Sequence, residues 1–593
     1  MTRTTLTFAA LLTAVTANAQ TPIAYTLRFP APHTHYVEVE VQVPSTGRGD
    51  IELMMPVWTP GSYLVREFAR HVEDVRAETG GRPLPVAKSR KNRWRITAGD
   101  APAVTVRYRV YCREMSVRTN FVDASFALLN GAATFLTLVE PGPRPHEVTV
   151  ELPAGWATTV SPLPAAPGDV PHRYVARDYD HLVDSPLLAG NPSLYEFTEG
   201  GVPHVLANEG EGGIWDGPRS AAGVQQLVRA YLKLWGGAPY QRYVFFNLLV
   251  EAGGGLEHKD STVLMSSRWR TGTRRDYLGW LSLVSHEYFH AWNVKRLRPV
   301  ELGPFDYESE VYTPNLWVAE GFTDYYGGLM VRRAGLSTPA EYLENLSDSI
   351  RELQTTPGRL AQPVSQSSSD AWIKLYRPDE NSPNSTISYY TKGAVVAFLL
   401  DARIRAATAG ARSLDDVMRL AYQRYSGARG YTTAEFRQTA SEVAGTDLSA
   451  WFALAADSTA ELAYDEALDW YGLRFKPAEP RQDRGWIGVT TRNDGGRLLV
   501  TQVRRGTPAF DAGLNVDDEI LAIGDFRVRP DQLDARLDQY RPGQRVSVLV
   551  ARRDRLQRVD VTLGAEPARG WSLEVRPDAT DEQRARLAAW LWE

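Results

Sequence analysis

A single cysteine, Cys112, is all the thiol this chain of 593 residues carries, so no intramolecular disulfide can staple it. It falls in the alternating run VTVRYRVYCRE, where a half-buried strand residue is expected rather than a nucleophile. Beyond the N-terminus no apolar stretch approaches the roughly 20 residues that span a bilayer, which excludes a membrane-spanning helix. Basic charge is not in excess either: the formal net charge is −5 and the pI about 6.1, so the electrostatic footprint of a nucleic-acid binder is missing. Internal repeats and low-complexity tracts are absent. What is present, 43% hydrophobic and 23% charged residues, is the composition of folded globular protein. The length exceeds what one hydrophobic core sustains and predicts three or four domains.

The first residues, MTRTTLTFAALLTAVTANAQ, combine Arg3, a short run of small and apolar residues, and Ala17-Asn18-Ala19, a small-x-small cleavage pattern. Residues 1–19 are therefore expected to be a signal peptide, and the mature protein to be periplasmic or secreted.

Residues 20–195 alternate apolar and polar positions in YVEVEVQV, VTVRYRVYC and HEVTVELP, which predicts a mainly antiparallel β domain. Within it, MPVWTPGSYLVREFARHV crowds Trp58, Tyr63, Arg66, Phe68 and Arg70 around a Pro-Gly turn and is expected to pack at a domain contact. His33 and His35 would share a strand face, but no third ligand is nearby, and a surface strand start is expected. Residues 196–478 change texture: a helix at GVQQLVRAYLKLWG, buried strands at RYVFFNLLV and STVLMSS, then mostly helical periodicity. A compact β-rich segment occupies 479–567, and residues 568–593 form a tail with one short amphipathic helix. The fold class is multidomain α+β.

The chemistry concentrates in SHEYFHAW, residues 285–292. On a helix, His286 and His290 stack on one face and can direct an imidazole nitrogen each at one ion, while Glu287 is turned about 100° away and can reach a water on that ion. That arrangement suits metal-assisted hydrolysis, with zinc activating the water and Glu287 as base. His-Glu-x-x-His arises by chance in roughly one chain per hundred of this composition, so its surroundings must add weight. They do: Trp280, Val284, Tyr288 and Trp292 form a stripe that can bury beside the histidines. A metzincin site would need glycine and histidine at 293 and 296, where this chain has Asn293 and Arg296. The third ligand must then be a carboxylate, with Glu301, Glu308, Glu310 and Glu320 available downstream. Glu320 is favoured because Thr313 and Pro314 look like the cap and first turn of a second helix that would deliver it rigidly. Asp324, on the same face, could hold the far nitrogen of a ligating histidine.

In PVWTPGSYLVREFARHV (56–72), GGGLEHKDS (253–261), SHEYFHAWNVKRLRP (285–299), LWVAEGFTDYY (316–326) and YYTKGAVVAFLLD (389–401), the chain resembles the glycyl aminopeptidase family. These are gluzincin metallopeptidases with a β-rich N-terminal domain, a thermolysin-like catalytic domain and a C-terminal PDZ domain. The resemblance covers nearly the whole mature chain. It implies one zinc ion per chain on His286, His290 and Glu320, with Glu287 as base. It further implies that the Gly-x-x-Glu segment containing Gly254 and Gly255 binds substrate and that Glu257 receives the free α-amino group of a peptide. The group more often has asparagine where this chain has His258. Tyr390 of Tyr390-Thr391-Lys392-Gly393 is implied to stabilise the oxyanion, with Tyr389 adjacent. In the PDZ region, Trp486, Ile487, Gly488 and Val489 resemble a loop that binds peptide C-termini, either for capture or with the domain acting as a brace. The function implied is removal of small N-terminal residues, glycine or alanine, from peptides. A zinc endopeptidase and a non-catalytic PDZ peptide-binding protein are the alternatives.

Overall fold

The computed structural model describes residues 21–45, 48–140, 142–168, 170–477, 484–567 and 570–592. The expected signal peptide and the expected domain limits at 478–479 and 568 lie outside the described residues.

Alternation in the N-terminal region becomes pleat. Along Tyr36–Pro44, Val37, Val39, Val41 and Val43 are buried while Glu38 and Gln42 face water. This strand lies between Ile23–Arg28 and Ala103–Tyr111 in a seven-stranded sheet that is antiparallel except where Ile23–Arg28 pairs with His146–Glu151. Two four-stranded sheets complete the region. His33 lies in a 3-10 turn, Pro32–Thr34, and His35 caps that turn with φ 66° and its Nδ1 2.6 Å from the Val122 carbonyl, so neither starts a strand. Cys112 follows its strand and is fully rather than half buried, and burial pushes its thiol up to about 12.

The next sheet has the order Ser193–Glu199, Val202–Glu209, Tyr243–Leu249, Ser261–Ser266, Gly254–Glu257, so the last, antiparallel to its neighbour, is an edge strand. One face carries the helices Gly217–Trp235 and Arg274–Phe289. The other packs Phe246, Leu256, Val263 and Met265 against Val117, Phe121 and Leu128 of the N-terminal region. A strand covered on both faces is nearly all apolar, which explains the run YVFFNLL; its one amide, Asn247, is satisfied by Asn208 and Trp280.

The helix Phe322–Arg333 does not begin at Thr313 as the sequence suggests. A π-helical turn, Trp317–Gly321, precedes it; ahead of that turn Thr313 Oγ1 accepts from Asn315 N at 3.3 Å, as a cap would, and donates to Glu301 at 3.0 Å. A π turn inserts a residue into the helical register, and here the altered turn carries Glu320. Behind it the helix Tyr389–Ala407 approaches so closely that a Cβ on Gly393 would lie 2.6 Å from the Trp317 carbonyl. Only glycine permits that backbone contact, which places the start of the Tyr389–Ala407 helix beside Glu320.

The C-terminal β unit, with its five-strand path from Val489–Asp494 to Arg555–Thr562, emerges after Leu473–Phe475. The chain then returns to pair Leu573–Val575 antiparallel with that same strand. The final helix, Asp581–Leu591, opens on a Thr580–Gln583 capping box. It is part of the helical core rather than a separate tail: Trp590 is fully buried, its ring 4.3 Å from Tyr471 and its Nε1 donating to the Tyr325 hydroxyl at 2.8 Å. Trp590→Ala is expected to cost about 3–5 kcal/mol, read as a lower urea midpoint of the helical unit by circular dichroism.

Candidate metal centre and active site

The Arg274–Phe289 helix starts on a Thr273 cap and buries Trp280, Val284 and Tyr288, which turns the opposite side toward the edge strand. His286 lies in its last turn, and His290 is its C-cap in right-handed helical conformation, so the i, i+4 relation survives to the helix end. Trp292 lies beyond the helix, stacked 5.5 Å from Trp235.

His286 Nε2 and His290 Nε2 are 3.1 Å apart, and Glu320 Oε2 lies 3.6 and 3.2 Å from them. Their far nitrogens are engaged: His286 Nδ1 is 2.8 Å from Asp324 Oδ1, and His290 Nδ1 donates to the Asn293 carbonyl at 2.7 Å. In the neutral rings those bonds put the protons on Nδ1, so both Nε2 lone pairs face each other and a carboxylate oxygen. Such a convergence is repulsive without a cation, and two imidazoles with one carboxylate form a donor set that suits a divalent metal. The other carboxylate candidates go elsewhere: Glu308 binds Arg93 at 2.8 Å, Glu301 accepts from Thr313, and Glu310 is exposed.

Glu287 is buried, and its Oε2 lacks a partner among the described residues. Burial pushes its pKa up, against the opposing pull of His286 and His290. For Glu320, burial is outweighed by the attraction of His290 and His286, which holds it below the usual carboxylate range. His286 is drawn down by burial but raised further by its bonds to Asp324 and Glu320.

The edge strand closes the other side. A Cβ on Gly255 would fall 2.0 Å from Glu287 Oε1, so this position must be glycine for the glutamate to lie where it does. Two residues on, Glu257 faces the same way, with ligand atoms within 4.8 Å of those of Glu287 and His290. Its Oε1 is buried without a partner among the described residues. His258 turns away, its Nδ1 3.2 Å from Asp184, a carboxylate that also binds Lys295 Nζ at 2.7 Å.

Tyr390, half buried, lines a shallow cavity of about 290 Å³ with His286, Glu287 and Asp324, its ring 6.1 Å from His286. Tyr389 beneath it is fully buried. The loop expected at a domain contact is also a wall of the site: a Cβ on Gly61 would be 2.5 Å from Glu257 Oε1. With Trp58, Tyr63 and Glu257 it lines a cavity of about 590 Å³. Sequence reasoning did not find Tyr376, whose hydroxyl donates to the Gly61 carbonyl at 3.3 Å. In the C-terminal unit, Trp486 pairs with Gly564, the Ile487 carbonyl accepts from Ala509 at 2.8 Å, Gly488 turns with φ 77°, and Val489 begins the sheet's edge strand.

Two imidazoles from one helix end, a carboxylate from the next helix, a buried glutamate between them and an edge strand alongside define a metallopeptidase. The comparisons then narrow the class. Residues 24–191 match the peptidase M61 N-terminal domain, 279–396 the M61 glycyl aminopeptidase model and 485–563 the PDZ domain. A solved aminopeptidase N family protein from Idiomarina loihiensis is 31% identical over 96% of this chain and 100% of its own, with TM-score 0.90. The chain belongs to the M61 glycyl aminopeptidase family. An M1 zinc metallopeptidase from Deinococcus radiodurans, 13% identical, is covered over 94% of its length and 74% of this chain at TM-score 0.48. No curated protein matches.

Proposed function

We propose that this enzyme is a zinc aminopeptidase that removes small N-terminal residues, glycine or alanine, from peptides. The observation that carries the reading is Glu257, a buried carboxylate with an unpartnered oxygen, held on an edge strand beside Glu287 and His290. A peptide added to that edge would bring its terminal ammonium to Glu257, and an anchor at a fixed place relative to the ligands makes the enzyme measure from the chain end. A divalent ion on His286, His290 and Glu320 would supply Lewis acidity, acidifying water and polarising the scissile carbonyl. Glu287 takes the proton of the attacking water and passes it to the leaving amine. Asp324 and the Asn293 carbonyl fix the imidazole tautomers. The Tyr390 hydroxyl donates to the developing oxyanion, an interaction strongest in the transition state. The backbone of Gly254 and Gly255 supports the extended substrate. The preference for a small first residue follows from the family.

The test compares a short Gly- or Ala-led peptide with its N-acetylated copy, with and without a chelator. Cleavage of the free peptide alone, abolished by chelation and restored by zinc, is the expected result. Equal cleavage of both would make the protein an endopeptidase, and no cleavage would leave a peptide-binding role.

For the PDZ domain, two observations favour a brace. Asn384 of the helical region donates to the Val503 carbonyl at 3.0 Å and accepts from Arg505 N at 2.7 Å, and Arg504 donates to the Thr355 carbonyl at 2.7 Å. Capture of a peptide C-terminus by the Trp486–Val489 loop would use the edge strand Val489–Asp494, which the brace contacts leave unpaired on its outer side. Export to the periplasm or beyond rests on residues 1–19. Among the described residues no helix is long and apolar enough to cross a membrane.

A further inference from the structure

A guanidinium stands at the end of the edge strand opposite Glu257. Arg118 Nη1, delivered by the N-terminal region, lies 3.7 Å from where a Cβ of Gly254 would be. Arg66, from the loop that walls the site, is near enough for the two positive charges to oppose each other, and it donates to Ser62 Oγ at 2.8 Å. Among the described residues both Nε atoms are buried with no hydrogen-bond partner. Among the described residues neither Arg66 nor Arg118 forms an ion pair. Glu114, whose charge also favours the Arg66 guanidinium, lies 3.4 Å from Arg70, and Glu67 lies 2.5 Å from Lys91. The two like charges disfavour each other, and an anion beside Arg118 would relieve that repulsion.

Strand direction says which anion. The edge strand runs from Gly254 to Glu257, and a peptide that pairs antiparallel to it, with its amine at Glu257, extends toward Gly254. Those ends are three residue steps apart, about 10 Å at roughly 3.3 Å per residue. An extended tripeptide spans about the same distance from amine to carboxylate, whereas a dipeptide falls one step short.

We propose that Arg118, backed by Arg66, binds the C-terminal carboxylate of tripeptide substrates, so that the enzyme reads both ends of a short peptide. This rests on the aminopeptidase reading and on Glu257 as the amine anchor. The shared chemistry is a carboxylate on the leaving-group side, and an acidic side chain there is the other source.

The experiment measures KM and kcat of the zinc-loaded enzyme for Gly-Gly-Gly, its C-terminal amide, and Gly-Gly-Asp amide, in wild type and in Arg118→Gln. A charge-assisted bond made equally in ground and transition states changes KM. The wild-type KM for the amide is expected to be about tenfold above that for the acid, with similar kcat. Arg118→Gln should bring that ratio to about one by raising KM for the acid alone, and Arg118→Lys should restore part of the preference. Unchanged kinetics on the amide show that the variant is folded. Equal KM for acid and amide in wild type, or a preference that survives Arg118→Gln, would overturn the proposal. So would a low KM for Gly-Gly-Asp amide without any advantage of Gly-Gly-Gly over its amide, which would assign Arg118 to side chains. Failure to cleave any of the three peptides would overturn the aminopeptidase reading itself, and with it this one.

Discussion

Glu287→Gln is expected to lower turnover by about 10³- to 10⁴-fold while metal content stays near one ion per chain. Glutamine keeps the shape that Gly255 accommodates but cannot take a proton, so the ligand set of His286, His290 and Glu320 stays intact. Metal analysis and single-turnover kinetics on the same preparation separate the two properties. Turnover within tenfold of wild type would mean that another group is the base, and loss of the metal would mean that Glu287 is needed to build the site. The isosteric change also removes a charge that burial disfavours and that Glu257 and Glu320 repel, against the pull of His286 and His290. The variant is therefore expected to fold at least as stably as wild type.

Glu257→Ala should produce the second large effect, and an uneven one. If its carboxylate meets a terminal ammonium out of water, truncation costs about 2–5 kcal/mol, or roughly 30- to several-thousandfold in kcat/KM for free-amine peptides. Any residual cleavage of N-acetylated peptides should be untouched or improved, because the alanine leaves room and removes a buried unpaired charge. A uniform loss on both substrate kinds would instead make Glu257 a structural or base-tuning residue, consistent with its closeness to Glu287. The ratio of the two losses is thus the informative quantity.

Much of this site was legible because it is local. His286, Glu287 and His290 need only helical spacing, and Glu320 was one of four acids on a short downstream stretch. Its selection rested on Thr313 and Pro314 opening a helix; Thr313 does accept from Asn315 N, but a π turn stands between it and the helix proper. Apolar periodicity cannot distinguish an α-helical start from the π turn at Trp317–Gly321, since both bury the same residues. Alternation revealed the N-terminal strands because each buries one face, whereas the strand over Tyr243–Leu249, buried on both, was legible from its apolar run instead. Gly61, Tyr376 and Arg118 were not legible as site residues. They reach the edge strand from segments far away in sequence, and no spacing rule relates them to the histidine motif.

The return of the chain from the PDZ domain also makes the helical core discontinuous in sequence. The pocket lined by Phe398, Tyr471 and Tyr325 is filled, as by a wedge, by Trp590 from the far side of that domain, and Tyr325 adjoins Asp324 on the helix that supports His286. Deleting the PDZ domain from the gene must therefore splice residue 475 to residue 573 directly, because a stop codon placed after residue 475 would remove the wedge as well.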